Sequence, residues 1–194
     1  MVRERLRRAL GWIARSAEVR GSFGWLAVVV AVLYASVLAQ GLQVDDLWHR
    51  VLLRGDPRLQ TPRSPWWDLF VFFDGNRERL ESFRAQGFAA WWTDLHLRVA
   101  FFRPLSGLTH ALDDALWPDV PALMHAHSVL WYLAVVAVAA GLFRRVMAPR
   151  VAALAAVLYA VDHTHAGVVG WVANRNSLVA AAFGPSPCCS TTAA

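Results

Sequence analysis

The chain contains no lysine, so all 19 of its basic side chains are arginines. Charge of either sign is scarce: 17% of the residues are charged, against about 25% in soluble domains. There are two cysteines, the neighbours Cys188 and Cys189. Adjacent cysteines seldom bridge each other and no second pair accompanies them, which excludes a disulfide framework and a cysteine-based metal site. The net charge of +5 is spread out or flanks apolar segments, with no compact basic stripe interleaved with aromatics. Nucleic-acid binding is excluded on that ground. No internal repeat is evident.

What is abundant is apolar side chain, at 57% of the residues, in blocks, with a mean hydropathy of +0.37. That composition points to an integral membrane protein and to the lipid bilayer as a partner. Phe23 to Val44 carries no charge and reads as a first span, about 23–44. The six arginines before it, Arg3, Arg5, Arg7, Arg8, Arg15 and Arg20, place the N-terminus in the cytoplasm. Val2, Leu6, Leu10 and Ile13 fall at helical spacing, as in an amphipathic helix lying on a membrane face. The apolar run is too long for a signal-peptide core.

A second span is expected at about 122–143, followed by Arg144, Arg145 and Arg150 in a short connection that the charge rule also assigns to the cytoplasm. A third is expected at 151–171, and 177–183 would begin a fourth. The loop 43–119 then lies outside the cytoplasm. Its tryptophans and phenylalanines are too numerous for a disordered segment. Trp66 to Phe73 reads as a short helix in the headgroup zone, and Pro104 to Trp117 as an amphipathic helix. The fold class expected is an all-α, polytopic transmembrane helix bundle with a long extracytoplasmic first loop containing short interfacial helices. Residues 184–194 are neither span nor cap and read as an atypical tail, the mark of a truncated or altered terminus.

Four clusters carry polar chemistry: Asp45-Asp46 with His49; Arg103 before Pro104; His125 with His127; and Asp162-His163 with His165, Asn174 and Arg175. Polar groups at membrane depth are functional hypotheses. A carboxylate near lipid is poorly hydrated and becomes a better base, so Asp45 and Asp46 are candidate catalytic residues; the competing reading is a solvated helix end. Arg103, at a helix start beside Phe101 and Phe102, suits a phosphate or simply snorkels to the headgroups. His125 and His127 point in different directions on a helix. Asp162, His163 and His165 offer donors for a divalent metal, without a fourth ligand.

The order of these features resembles the GT-C membrane glycosyltransferases, within them the protein O-mannosyltransferase-like group and the tetratricopeptide-repeat transmembrane mannosyltransferases. Asp45-Asp46 stands at the acidic pair after the first span. Phe102-Arg103-Pro104-Leu105 stands at the family's Tyr-Arg-Pro-Leu-like motif, and His125 with Ser128 at its His-x-x-Asn. Tyr159 to Val169 and Trp171 to Leu178 follow the last block in outline. Asp162 replaces the family's first His, His163 its Pro and Gly167 its Glu.

The resemblance implies transfer of a sugar from a polyprenyl-phosphate donor to an acceptor protein or glycan on the extracytoplasmic face, as in a bacterial inner membrane. One carboxylate of the pair would be the base, with inversion at the anomeric carbon. Arg103, with His165 or Arg175, would hold the lipid phosphate, and His49 would orient the pair or meet the acceptor. A transporter or metal-handling protein and an inactive membrane fragment are the alternatives.

Overall fold

The computed structural model describes residues 24–57 and 63–184. The expectations for Met1–Gly21, for the tail beyond Gly184 and for Cys188 and Cys189 lie outside the described residues. The chain divides into two compact units, 42–120 and the residues on either side of it.

In the flanking unit, α1 (Gly24–Leu33) gives way to a 3-10 turn, Ala35–Ala39. α5 (Pro121–Val146) runs into α6 (Pro149–Val161). A 3-10 turn at His163–His165 leads to α7 (Ala166–Gly170), and a second at Val172–Asn174 leads to α8 (Arg175–Phe183). α5 is the axis, against which α6, α7, α8 and the Ala35–Ala39 turn pack. Ala152, Ala156 and Ala160 form a buried small-residue line on α6, letting the helices approach closely. The Tyr132 hydroxyl is shared between the carbonyls of Tyr159 and Ala160, at 3.2 and 3.1 Å, two of the acceptors left over where α6 ends.

This unit corrects the expected polytopic bundle. Among the described residues α5 is the one helix that by itself, at 26 residues, is long and apolar enough to cross a membrane. The described part of α1 has ten residues, which at about 1.5 Å each reach about half of a ~30 Å hydrocarbon core. It stops because the backbone tightens into the 3-10 turn and then extends at Gln40. The expected third span is two helices bent by 41° at a short break. Asp162 makes that break: its carboxylate accepts from the Thr164 amide at 2.9 Å. A side chain that bonds its own backbone this way competes with the helix. A fourth span is not seen in the nine residues of α8.

The unit 42–120 opens with α2 (Val44–Arg54). A 3-10 turn at Trp66–Asp68 precedes β1 (Val71–Asp74). α3 (Arg77–Ala85), β2 (Arg98–Ala100) and α4 (Pro104–Leu116) complete it. The interfacial helix expected over Trp66–Phe73 is therefore corrected. Its second half, rich in residues that suit a pleated surface, pairs antiparallel with β2, Phe73 opposite Val99 and Asp74 opposite Arg98. α2 and α4 are tied at one end by Arg54, which donates to Asp114 at 2.8 Å, and by Arg50, which meets Asp119 at 2.7 Å.

α4 is turned inside out. Its buried residues are Ser106, Gly107, Thr109, His110 and Asp113, while Leu105, Leu108, Leu112 and Leu116 are exposed. Gly107 permits the approach of the Trp66–Asp68 turn, because a Cβ there would lie 1.9 Å from the Trp66 carbonyl oxygen.

Two stability tests follow from these contacts. Gly107→Ala gains the helix propensity of alanine, at most about 1 kcal/mol, but must displace backbone, so a net loss of roughly 1–3 kcal/mol is expected in denaturant titration. Tyr132→Phe removes the hydroxyl from two buried carbonyls and should cost about 1–3 kcal/mol in the same measurement.

Candidate functional site

The site residues expected in the first loop come together in the unit 42–120, but the acidic pair is split. Neighbours on a helix point about 100° apart, and α2 uses its two carboxylates differently. Asp46 is the third residue of the helix and is buried. Its Oδ2 accepts from the Gln43 amide at 2.9 Å, while the Gln43 side chain caps the Asp46 backbone in return. This capping box, with a negative charge at the positive end of the helix, commits Asp46 to starting α2.

Asp45, half-buried, instead lines a cavity of about 460 Å³. The walls are apolar, among them Trp48, Phe72, Phe73 and Phe83, with Val44, Leu47 and Phe88 reaching the surface. Among the described residues Asp45 is the one charged group in that lining.

One turn beyond Asp46, His49 faces inward and is 2% exposed. Its ring packs on Phe70 at 4.7 Å and on the imidazole of His110 at 5.0 Å. Neither ring nitrogen has a hydrogen-bond partner among the described residues. Burial first, and the positive charge of Arg103 second, push the imidazole down to about 4, so it is neutral at physiological pH. A buried neutral ring orients helices; it does not meet an acceptor in solvent. Arg103 lies over the faces of Phe101 and Phe70, its guanidinium carbon 4.5 and 5.2 Å from the ring centres. Phe70 thus touches both the cation and the two histidines.

His110 and Asp113 were not singled out from sequence. Their signal was the polar spacing of Ser106, Thr109, His110 and Asp113, which marks one face of α4 but says nothing of which face is buried.

The remaining candidates belong to the flanking unit. Arg175 is fully buried. Its guanidinium donates to Ser128 Oγ at 3.0 Å and the Met124 carbonyl at 2.7 Å, and faces His127 Nδ1 at 3.3 Å. Those contacts fasten α8 to α5. His125 is fully buried on α5. His165 stacks on Tyr159 and Tyr132, at 4.7 and 5.3 Å between ring centres. Asp162 and His163 face outward, Asp162 engaged with the Thr164 amide and the His163 side chain 97% exposed. Among the described residues no group of three or more His, Cys, Asp or Glu could hold a metal ion, so the divalent-metal reading of Asp162, His163 and His165 gains no ligand set.

The buried imidazole of His49 makes stability pH-dependent. An unfolded histidine titrates near 6.5. As pH falls below that value the unfolded chain takes up a proton that the folded chain refuses until about 4. The stabilisation is complete above about 6.5 and is lost progressively toward about 4, with an upper size of about 3 kcal/mol. His49→Leu should flatten the acid limb of a melting-temperature profile across that window; an unchanged slope would show that His49 is not the group responsible. No family model, curated protein or solved structure matches this chain.

Proposed function

We propose that the chain is a membrane-bound glycosyltransferase acting on a polyprenyl-phosphate sugar and an acceptor hydroxyl on the extracytoplasmic face. The observation that carries the proposal is Asp45, the lone charge among the described residues of an apolar cavity wall. A carboxylate at such a wall lies within reach of a hydroxyl held in the cavity, the placement that a general base requires. The cavity is of the size that small-molecule sites have. The order of motifs described above supplies the reaction class.

In that reaction Asp45 takes the proton of the acceptor hydroxyl as its oxygen attacks the anomeric carbon. The bond from that carbon to the phosphate oxygen breaks, its electron pair leaves with the lipid phosphate, and the configuration inverts. Arg103, held by Phe70 and Phe101, is the cation assigned to the departing phosphate, where negative charge grows in the transition state. Asp46 and His49 are positioning residues that fix the start and the roll of α2. Arg175 and His165 receive no substrate contact.

The membrane placement is supported by α5. Its most apolar 18-residue window is only 28% buried, whereas the core helix of a soluble protein is covered on most sides. Lipid on the open side removes that exposure.

The test is transfer from a polyprenyl-phosphate sugar by the full chain in vesicles. Asp45→Asn should lower the rate by about 10²–10⁴-fold, the range for a lost general base. Asp46→Asn, whose amide oxygen still accepts from Gln43, should keep most of the rate and lose roughly 1 kcal/mol of stability. A parent chain with no transfer, or an Asp45→Asn variant as fast as the parent, overturns the proposal.

A further inference from the structure

The inverted face of α4 has no role in the transfer chemistry. Every residue of that helix that is exposed is apolar: Leu105, Leu108, Leu112, Ala115 and Leu116. The spacings of three and four residues place the leucines in one stripe, about 16 Å long at 1.5 Å per residue. The polar side chains that would ordinarily meet water, Ser106, Thr109, His110 and Asp113, are the buried ones. Asp114, on the border, is held by Arg54 at 2.6 Å. At the head of the helix stand Phe101 and Phe102, the latter 85% exposed.

A surface helix in water turns its polar face outward and its apolar face inward, because burying a polar group without compensation is costly. α4 does the reverse, which fits surroundings outside the unit less polar than its interior. Two observations identify that medium. The stripe carries no charge, so nothing on it pairs with a polar partner. The chain also runs from the end of α4 through only Trp117–Val120 into α5, the helix long and apolar enough to span a bilayer. With α5 in the bilayer, a four-residue connection keeps the foot of α4 close to the membrane boundary.

We infer that α4 lies at the membrane boundary, with Leu105, Leu108, Leu112 and Leu116 in the hydrocarbon and Phe101 and Phe102 at the headgroups. The occupant of the face is lipid. Aromatic rings favour the headgroup level, and a helix with one wholly apolar face sinks a few ångströms into the acyl boundary. The buried polar face then turns toward α2. The inference rests on the membrane placement of α5 proposed above and does not depend on the role of Asp45.

The experiment is a cysteine scan of residues 104–116 in the full chain, with Cys188→Ser and Cys189→Ser, labelled with a nitroxide in phosphatidylcholine–phosphatidylglycerol vesicles. Accessibility to oxygen, which concentrates in lipid, is compared with accessibility to a water-soluble nickel chelate. Labels at Leu130 on α5 and at Glu78 on α3, both exposed, are the references. The expected result is a several-fold higher oxygen-to-nickel ratio at 105, 108, 112 and 116 than at Glu78, recurring with the helical period. Nickel access at 108 and 112 equal to that at Glu78, with Leu130 in lipid, overturns this inference alone. If Leu130 is also open to nickel, the membrane placement falls with it. Dipolar broadening between labels on the stripe would reveal a second copy of the chain on this face and also overturns the inference. A scan tolerates the failure of any one variant, since the period is read from the rest.

Discussion

A helix that turns Ser106, Thr109, His110 and Asp113 inward places its own polar groups in the least forgiving part of the fold. Burying such groups costs free energy unless contacts compensate, and much of the unit 42–120 is arranged around that constraint. α2 approaches with His49 facing His110, and Phe70 fills the space beside both rings. The Trp66–Asp68 turn closes over Gly107, where only a missing Cβ leaves room for a carbonyl. Arg50 and Arg54 fix the far end through Asp114 and Asp119. These ion pairs are partly open to solvent, so they set register more than they add stability.

The same arrangement separates the two carboxylates of α2. Asp46 is held at the helix start by the reciprocal contact with Gln43. Asp45, about 100° further round, is left at the wall of the aromatic cavity. A capped helix start keeps that wall in place. Neutral His49 adds no charge to the interior near physiological pH and leaves Arg103 as the nearby cation.

The flanking unit answers a buried charge differently. Arg175 finds a serine hydroxyl, a backbone carbonyl and an imidazole on α5, so a group expected at a substrate phosphate acts as a fastening between helices. Asp162, expected in a continuous span, instead ends one by binding the Thr164 amide. In both cases the residue type was legible and its partner was not. Polar atoms take the nearest geometry that satisfies them: for Asp162 that is an amide two residues on, for Arg175 groups on another helix.

By itself the sequence determined the apolar character of α5, a helix starting at Pro104, and Asp45, Asp46, His49 and Arg103 as candidate site residues. These follow from composition, periodicity and local punctuation, which act within a few residues. Only the tertiary structure decided that α1 stops at Leu33, that Val71–Asp74 is a strand, that Asp45 and not Asp46 faces the cavity, and that α4 shows its leucines outward. Periodicity says that a helix has two unlike faces. Which face is covered depends on the neighbours that tertiary packing brings against it.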